Sequence, residues 1–209
     1  MFNKKRESTI KRKTNEVDIL GQFNLDGSGE TKIETGFEPL NHLLTLFIFH
    51  GLFDIELKAK GDLQHHIVED IGIALGKALK ESLGEKKGIN RYGTFSVTMD
   101  KVVVEANVDI SGRPSLQQKI TDDNKTIVEA TLREGRFDDT NFSFKDADEF
   151  LEAFIQHSGI SLVYIIKSGE GDLHHLLEAL FKALGKALDQ ASQIDSRRRG
   201  VPSTKGIID

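Results

Sequence analysis

The chain has 209 residues, of which 38% are hydrophobic and 29% charged, an ordinary balance for a protein that folds around a core. The formal net charge of −5 gives no general attraction to nucleic acid, and the absence of cysteine excludes disulfides and thiolate ligands. No apolar run approaches the roughly 20 residues that a membrane-spanning helix needs.

The N-terminus is basic and has no hydrophobic stretch behind its charges, so we expect no secretory signal and a cytoplasmic protein. Alternation of apolar and polar residues predicts strands at residues 16–25, 31–34 and 53–59. An apolar run that carries His42 predicts a helix at residues 40–49, with His50 and Gly51 as its C-cap. A second helix follows the third strand and is expected to end near Gly84.

The second half is expected to repeat this order of elements. Strands are predicted at residues 95–97, 102–110, 127–132 and 160–166, a turn at residues 111–114, and helices at residues 146–157 and after the last strand. We therefore predict an α+β fold made of duplicated half-domains, each a small, mostly antiparallel sheet backed by two helices. The first repeat is assigned to residues 1–92 and the second to residues 93–209, together forming one compact domain.

One motif opens the last helix of each half. Gly-Asp-Leu is followed closely by two histidines and then a glutamate, and these side chains are His65, His66 and Glu69 in the first copy and His174, His175 and Glu178 in the second. On a helix, residues i and i+4 share a face, whereas residue i+1 points to the side. The first histidine and the glutamate of each copy should therefore converge on one point, and the second histidine should point elsewhere.

Imidazole nitrogen and carboxylate oxygen together are typical ligands of Mn²⁺, Fe²⁺, Co²⁺ or Zn²⁺. A single His-His-x-x-Glu is often only a polar helix face. Four of the seven histidines lie in the two copies, however, and this duplication favours a pair of metal sites over a solvated surface.

With these motifs the chain resembles the imidazoleglycerol-phosphate dehydratase family of histidine biosynthesis. The resemblance spans nearly the whole length and includes both His-His-x-x-Glu helices. The other matching motifs are Thr14-Asn15-Glu16, Thr35-Gly36, Leu40-Asn41-His42, His50-Gly51, Gly61-Asp62, Arg91-Tyr92-Gly93, Asp109-Ile110-Ser111-Gly112-Arg113-Pro114, Glu178-Ala179-Leu180-Phe181-Lys182 and Pro202-Ser203-Thr204-Lys205-Gly206.

The resemblance implies half-domains of the ribosomal protein S5 domain 2-like type. It also implies a homo-oligomer, a 24-mer built from trimers, with two Mn²⁺ ions in each active site between subunits, and no nucleic-acid or membrane partner. The activity implied is that of a carbon–oxygen lyase, a hydro-lyase that removes water from D-erythro-imidazole-glycerol phosphate to give imidazole-acetol phosphate. The implied metal ligands are His42, His65, His66, Glu69, His174, His175 and Glu178.

The same resemblance implies roles for acidic and cationic side chains. The implied catalytic carboxylates are Glu16, Glu69 and Glu178, of which Glu16 also belongs to the substrate site. The residues implied to bind the substrate and its phosphate, besides Glu16, are Arg91, Arg113, Lys182, Ser203 and Lys205. Taken alone, each of these cations is more often a solvated surface charge, and His50 and His157 are more simply helix-end caps.

The chain departs from the family pattern at three places, one of which is Met99-Asp100-Lys101, where the family has Met-Asp-Glu. The family's eighth metal ligand, a histidine on the strand before the second His-His helix, would fall at Val163, where water or Tyr164 could substitute for it. The family has extra residues, including an aspartate, between Gly61-Asp62 and His65, where this chain has only Leu63-Gln64. Losing such a supporting partner can weaken metal binding about 10–100-fold. Two alternatives therefore stand beside an active dehydratase: a catalytically impaired, metal-stapled oligomeric homologue, and a module that binds a phosphorylated ligand without metal.

Overall fold

The computed structural model describes residues 5–121, 123, 125–169 and 172–208, so Gly171 of the second motif lies outside the described residues. The strands are β1 (Glu7–Lys13), β2 (Val17–Asn24), β3 (Thr31–Glu34), β4 (Asp54–Gly61), β5 (Tyr92–Met99), β6 (Val102–Asp109), β7 (Ser115–Ile120) and β8 (Ser161–Gly169). The helices are α1 (Glu38–Gly51), α2 (Gln64–Leu83), α3 (Lys125–Glu134), α4 (Phe144–Ser158) and α5 (Leu173–Ser192). None of these helices combines the length and the apolar character that crossing a membrane requires.

The two halves form four-stranded sheets of identical topology, in the orders β1-β2-β4-β3 and β5-β6-β8-β7. In each sheet two strand pairs are antiparallel, and the third strand of the half pairs parallel with the fourth. Alternate residues of β6, from Val102 to Val108, are buried, so one face of the sheet packs on helices. The predicted α+β duplication is confirmed, whereas its boundary after residue 92 stays a prediction.

Helices of the two halves pack across the centre of the molecule, α2 against α4 and α1 against α5. A Cβ atom at Gly76 of α2 would lie 2.6 Å from the carbonyl oxygen of Phe154 in α4. At Gly185 of α5 the corresponding distance to the carbonyl oxygen of Phe47 in α1 would be 2.4 Å. Glycine therefore lets the backbones approach at both crossings, and the buried residues of both halves form one continuous core.

The strand predicted at residues 127–132 is wrong, because these residues lie in α3. Two β-branched residues in succession, Ile127 and Val128, suggested a strand. The structure instead buries Val128 and packs Leu132, one helical turn later, against the core, so the apolar period is four rather than two. An ion pair of 3.6 Å between Lys125 and Glu129, also one turn apart, accompanies the helix.

The predicted C-cap of α1 is also wrong. The helix continues through Gly51, and Leu52 takes the left-handed conformation with φ of 55°. Glycine at position 51 serves packing instead, since a Cβ atom there would lie 2.3 Å from the ring of Phe53. Strands β1 and β7 were not predicted. In β1, charged residues obscure the alternation that buries Ser8 and Ile10, and in β7 polar residues occupy most positions around Leu116.

Tyr164 in β8 is completely buried, and its hydroxyl has no hydrogen-bond partner among the described residues. Burial and the nearby charge of Asp148 raise the pKa of this hydroxyl. Because a buried hydroxyl without a partner costs free energy, Tyr164→Phe should raise the free energy of unfolding by about 1 kcal/mol. Urea denaturation followed by circular dichroism measures the change. A loss of stability of similar size would show that the hydroxyl is hydrogen-bonded in solution.

Candidate active site

Three side chains with metal-ligand chemistry meet where α1 crosses α5. His42 extends from α1, and His174 and Glu178 extend from the first two turns of α5. The Nε2 atoms of His42 and His174 lie 2.5 and 3.0 Å from Oε1 of Glu178. The potential ligand atoms all lie within 4.8 Å of one another, and no other group of this kind is found in the described part of the chain. The predicted convergence of His174 and Glu178 is thus observed.

The carboxylate of Glu178 is buried and surrounded by donors. Its Oε2 atom accepts a hydrogen bond of 2.8 Å from Nζ of Lys182, one helical turn further on. Burial raises the pKa of Glu178, but the hydrogen bonds with Lys182, His42 and His174 outweigh burial and lower the pKa from 4.5 to about 2. Glu178 is therefore an anion at neutral pH, which is the state that a metal ligand or a proton acceptor requires.

The ring of His174 is fixed from its other side by the link between α3 and α4. Its Nδ1 atom lies 2.7 Å from Oδ1 of Asp138, and its ring stacks on Phe137 with centroids 4.2 Å apart. Burial lowers the pKa of His174, but the hydrogen bonds with Asp138 and Glu178 outweigh it and raise the pKa. The protonated ring donates from Nδ1 to Asp138 and from Nε2 to Glu178. When neutral, a ring that keeps its Nδ1 proton on Asp138 leaves the lone pair of Nε2 for a metal ion. Neither Phe137 nor Asp138 was predicted from the sequence, because the irregular link between α3 and α4 carries no recognisable motif.

The first copy of the motif lies elsewhere. His65 and Glu69 are exposed and line an open groove between α2 and α4. His66 turns to another side, with Nδ1 2.7 Å from Oδ1 of Asp62 and 3.9 Å from Oε2 of Glu16. The hydrogen bond with Asp62 raises the pKa of His66. The rings of His65 and His66 nevertheless lie in edge contact, with centroids 4.2 Å apart, so the predicted divergence is not observed in this copy. Within the described residues the first copy adds nothing to the cluster around Glu178.

His175 likewise points away from the cluster of its own helix. Its backbone N–H donates to the side chain of Asp172, which caps α5. Its Nε2 atom lies 3.7 Å from Oδ2 of Asp100, in the turn between β5 and β6. His66 and His175 are therefore equivalent in position, each oriented away from the Glu of its own motif.

Three of the predicted phosphate-binding residues come together at the C-terminal tail. Arg91 donates from Nε and Nη2 to both carboxylate oxygens of Asp109, at 2.7 and 3.2 Å, and from Nη1 to the carbonyl oxygen of Pro202 at 3.0 Å. Ser203 follows directly, and its hydroxyl accepts the backbone N–H of Lys205 at 3.2 Å. Arg91 therefore positions the segment that carries Ser203 and Lys205.

The other two predicted phosphate-binding residues are found in different surroundings. Arg113 is exposed in the turn after β6, where its carbonyl oxygen accepts hydrogen bonds from the hydroxyls of Ser111 and Ser161. Lys182 contacts Glu178 and lies 3.2 Å from the sulfur atom of Met99. Lys182 thus belongs to the cluster around Glu178.

Val163 lies on the outer face of the second sheet, paired with Asn107 of β6 and Gln117 of β7. Its neighbour Tyr164 faces the buried core. The suggestion that Tyr164 could replace a missing ligand at position 163 is therefore wrong, because the two side chains lie on opposite faces of the strand.

Comparison with known proteins agrees with this geometry. A family model described as imidazoleglycerol-phosphate dehydratase matches residues 35–188. A Thermoanaerobacter protein of that name is 46% identical over 206 residues, which cover 97% of this chain and all of the relative. Crystal structures of the dehydratases from Staphylococcus aureus and Pyrococcus furiosus are 31% and 32% identical, each with a TM-score of 0.76. The matches cover 90% and 94% of this chain and 99% and 98% of those structures. Because its relatives align over nearly their whole length, and because it has two equivalent sheets and a His-His-Glu cluster, the chain belongs to the imidazoleglycerol-phosphate dehydratase family.

Proposed function

We propose that the protein is an imidazoleglycerol-phosphate dehydratase that removes water from D-erythro-imidazole-glycerol phosphate to give imidazole-acetol phosphate in histidine biosynthesis. The observation that carries the proposal is the cluster of His42, His174 and Glu178, with ligand atoms within 4.8 Å, in a chain of this family. The proposal is also supported by the rest of the chain, since the relative with 46% identity aligns with 97% of it.

The proposed cofactor is Mn²⁺, with two ions in each active site. Two imidazoles and one ionised carboxylate fit a divalent cation of this class, and Asp138 supports the ring of His174 as carboxylates commonly support metal-bound histidines. When bound, such an ion supplies Lewis-acid chemistry, holding the substrate's imidazole and stabilising its deprotonated form.

Contacts within the cluster fix the charge of Glu178 and the orientation of His174 before substrate binds. Glu178 stays anionic because His42, His174 and Lys182 all contact it. Phe137 stacks on the ring of His174 and covers one face of it. We propose that Glu178, with Glu69 and Glu16 at the first motif, accepts or returns the protons that the elimination moves. Glu16 is suited to this role because it lies beside His66.

The proposed phosphate site is made by Arg91, Arg113, Ser203 and Lys205, with Lys182 nearest to the metal ligands. Arg113 offers phosphate parallel N–H groups and lysine offers a compact charge, whereas Arg91 already donates to Asp109 and Pro202 and holds the tail in place. The contact between Arg91 and Pro202 supports this assignment, because it holds Ser203 and Lys205 close to the guanidinium group.

Arg91→Lys should raise KM for the phosphorylated substrate about tenfold, because the double contact with Asp109 and the donor to Pro202 cannot all be replaced by one ammonium group. Steady-state kinetics at saturating Mn²⁺ measures KM, and limited proteolysis reports release of the tail. Arg197→Lys is the matched control, since Arg197 is an exposed arginine of the same tail whose side chain, among the residues described, pairs only with nearby Asp195. Equal KM values for both variants would rule out a specific role of Arg91.

We also propose that the active protein is a homo-oligomer, a 24-mer built from trimers, in which copies share metal sites. His66 and His175 support sharing, because each points away from the glutamate of its own motif and is available to a neighbouring copy. A cytoplasmic location stays a prediction.

The decisive experiment assays purified protein for imidazole-acetol phosphate with and without added Mn²⁺, after metal has been removed with a chelator. Turnover that returns with Mn²⁺ is expected. If saturating Mn²⁺ binds but gives no turnover, the protein is instead the catalytically impaired, metal-stapled homologue.

A further inference from the structure

A buried ion pair joins the first hairpin, β1 and β2, to α2. Asp70, on α2, is one of three charged residues that are buried in the part of the chain that the structure describes. Its Oδ1 atom lies 2.6 Å from Nη2 of Arg12 in β1, and the two side chains are 9% and 27% exposed. A buried carboxylate needs such a partner, because removal from water disfavours its charge. The pair therefore ties the end of β1 to one face of α2.

The same face of α2 contacts the turn that follows β1. His66 and Asp70 are one helical turn apart and share this face. In the turn, the hydroxyl of Thr14 accepts the backbone N–H of Glu16 at 3.1 Å, and the carbonyl oxygen of Glu16 accepts the N–H of Asp62 at 3.1 Å. The exposed carboxylate of Glu16 lies 3.9 Å from Nδ1 of His66. The distance between Glu16 and His66 thus depends on how the turn is held against α2.

The second half joins its hairpin, β5 and β6, to α5 without charge. When the strands of the two sheets are aligned by their register, Arg12 of β1 corresponds to Val97 of β5. Asp70 follows the glutamate of the first motif, and Ala179 follows that of the second. Val97 packs against the core, and Ala179 is completely buried. An apolar pair is therefore sufficient to hold a hairpin on its helix in this fold.

Stability alone does not explain the ion pair of the first half. Nε of Arg12 is buried and has no hydrogen-bond partner among the residues described, and such a donor costs free energy. Replacing a buried ion pair by apolar residues is often neutral or stabilising. We propose that Arg12 and Asp70 are positioning residues, which hold the turn after β1 so that the carboxylate of Glu16 stays beside His66. This inference rests on the proposed function, in which Glu16 accepts or returns a proton.

The test measures kcat and KM of the full-length protein at saturating Mn²⁺ in three variants. The first combines Arg12→Val with Asp70→Ala and so copies the apolar pair of the second half. The second is Glu16→Gln, and the third carries all three substitutions. The apolar pair should lower kcat about tenfold, since a shift of a reacting group by about 1 Å can cost up to about a hundredfold. KM should change by no more than about twofold, because the residues proposed to bind phosphate keep their contacts.

The variant with all three substitutions shows whether the pair acts through Glu16. Without a carboxylate to position, the apolar pair should lower kcat by no more than about twofold further. If the separate effects multiply instead, or if the apolar pair leaves kcat at the wild-type value, the proposal is overturned. Arg12→Lys, which keeps the charge, should retain most of kcat. Should the apolar pair prevent folding, Asp70→Asn takes its place in the same comparison.

Lys13→Val combined with Asp18→Ala is the matched control, because this ion pair of 2.6 Å lies in the same hairpin but is exposed. It should leave kcat unchanged, and a loss as large as that of the buried pair would contradict the proposal. Hydrogen exchange gives a readout that needs no turnover. Exchange at residues 13–18 should be faster in the apolar-pair variant, and exchange at residues 98–103, the corresponding turn of the second half, should not change. If wild type has no turnover but exchange responds in this way, the dehydratase proposal fails and the positioning of the turn stands. Unchanged exchange at residues 13–18 overturns the positioning alone.

Discussion

Glu178→Gln should lower kcat/KM for dehydration by on the order of a thousandfold or more, the loss typical of removing a preorganised charge from an active site. Glutamine has nearly the same shape, so the effect isolates the charge that the pKa of about 2 keeps on Glu178. Without it, the ammonium group of Lys182 loses the carboxylate oxygen at 2.8 Å, and His42 and His174 keep an amide oxygen as acceptor but lose the negative charge that they share. Steady-state kinetics and metal analysis of the same preparation measure both consequences.

The control for this prediction is Glu105→Gln. Glu105 is also an ionised carboxylate, with its pKa lowered by hydrogen bonds led by Lys167, but it lies on the outer face of the second sheet. Its replacement should leave turnover and metal content unchanged. A Glu178→Gln protein with wild-type turnover would show that the carboxylate takes no part in the reaction.

Much of the fold could be predicted from the sequence because local periodicity and tertiary burial coincide. Alternation in β6 matches the residues that face the helices, and the i, i+4 spacing of His174 and Glu178 places their side chains 3.0 Å apart. The prediction failed where the two signals disagree. In α3, the β-branched residues Ile127 and Val128 favour a strand, yet packing of Val128 and Leu132 on the core selects the helix.

Only those residues of the site that share one helix could be placed together from the sequence. His42 lies in an apolar run, and nothing in its spacing points to His174; their contact depends on α1 crossing α5 next to Gly185. Phe137 and Asp138 support His174 from an irregular link whose path is set by packing rather than by propensity, and Asp138 has φ of 50°. The position of Arg91, with φ of 78°, likewise depends on its contacts with Asp109 and the tail.

His175→Ala and His66→Ala should each reduce bound metal and dissociate the large assembly into smaller oligomers. The physical reason is that both imidazoles point away from the glutamate of their own motif, so a metal that uses them links two copies of the chain. Analytical ultracentrifugation and metal analysis by mass spectrometry measure the two effects together. His50→Ala is the matched control, since His50 lies in the last turn of α1, outside both motifs.

If copies of the chain share metal ligands, metal binding and assembly of the oligomer must be coupled. Removing metal from the wild-type protein with a chelator should dissociate it as His175→Ala does, and added Mn²⁺ should restore the assembly of the wild type only. The His175→Ala protein should stay small at Mn²⁺ concentrations that fully restore the wild type. If both histidine variants keep their metal and their size, His66 and His175 take no part in metal binding, and each chain holds its ions through the glutamates and His42, His65 and His174 alone.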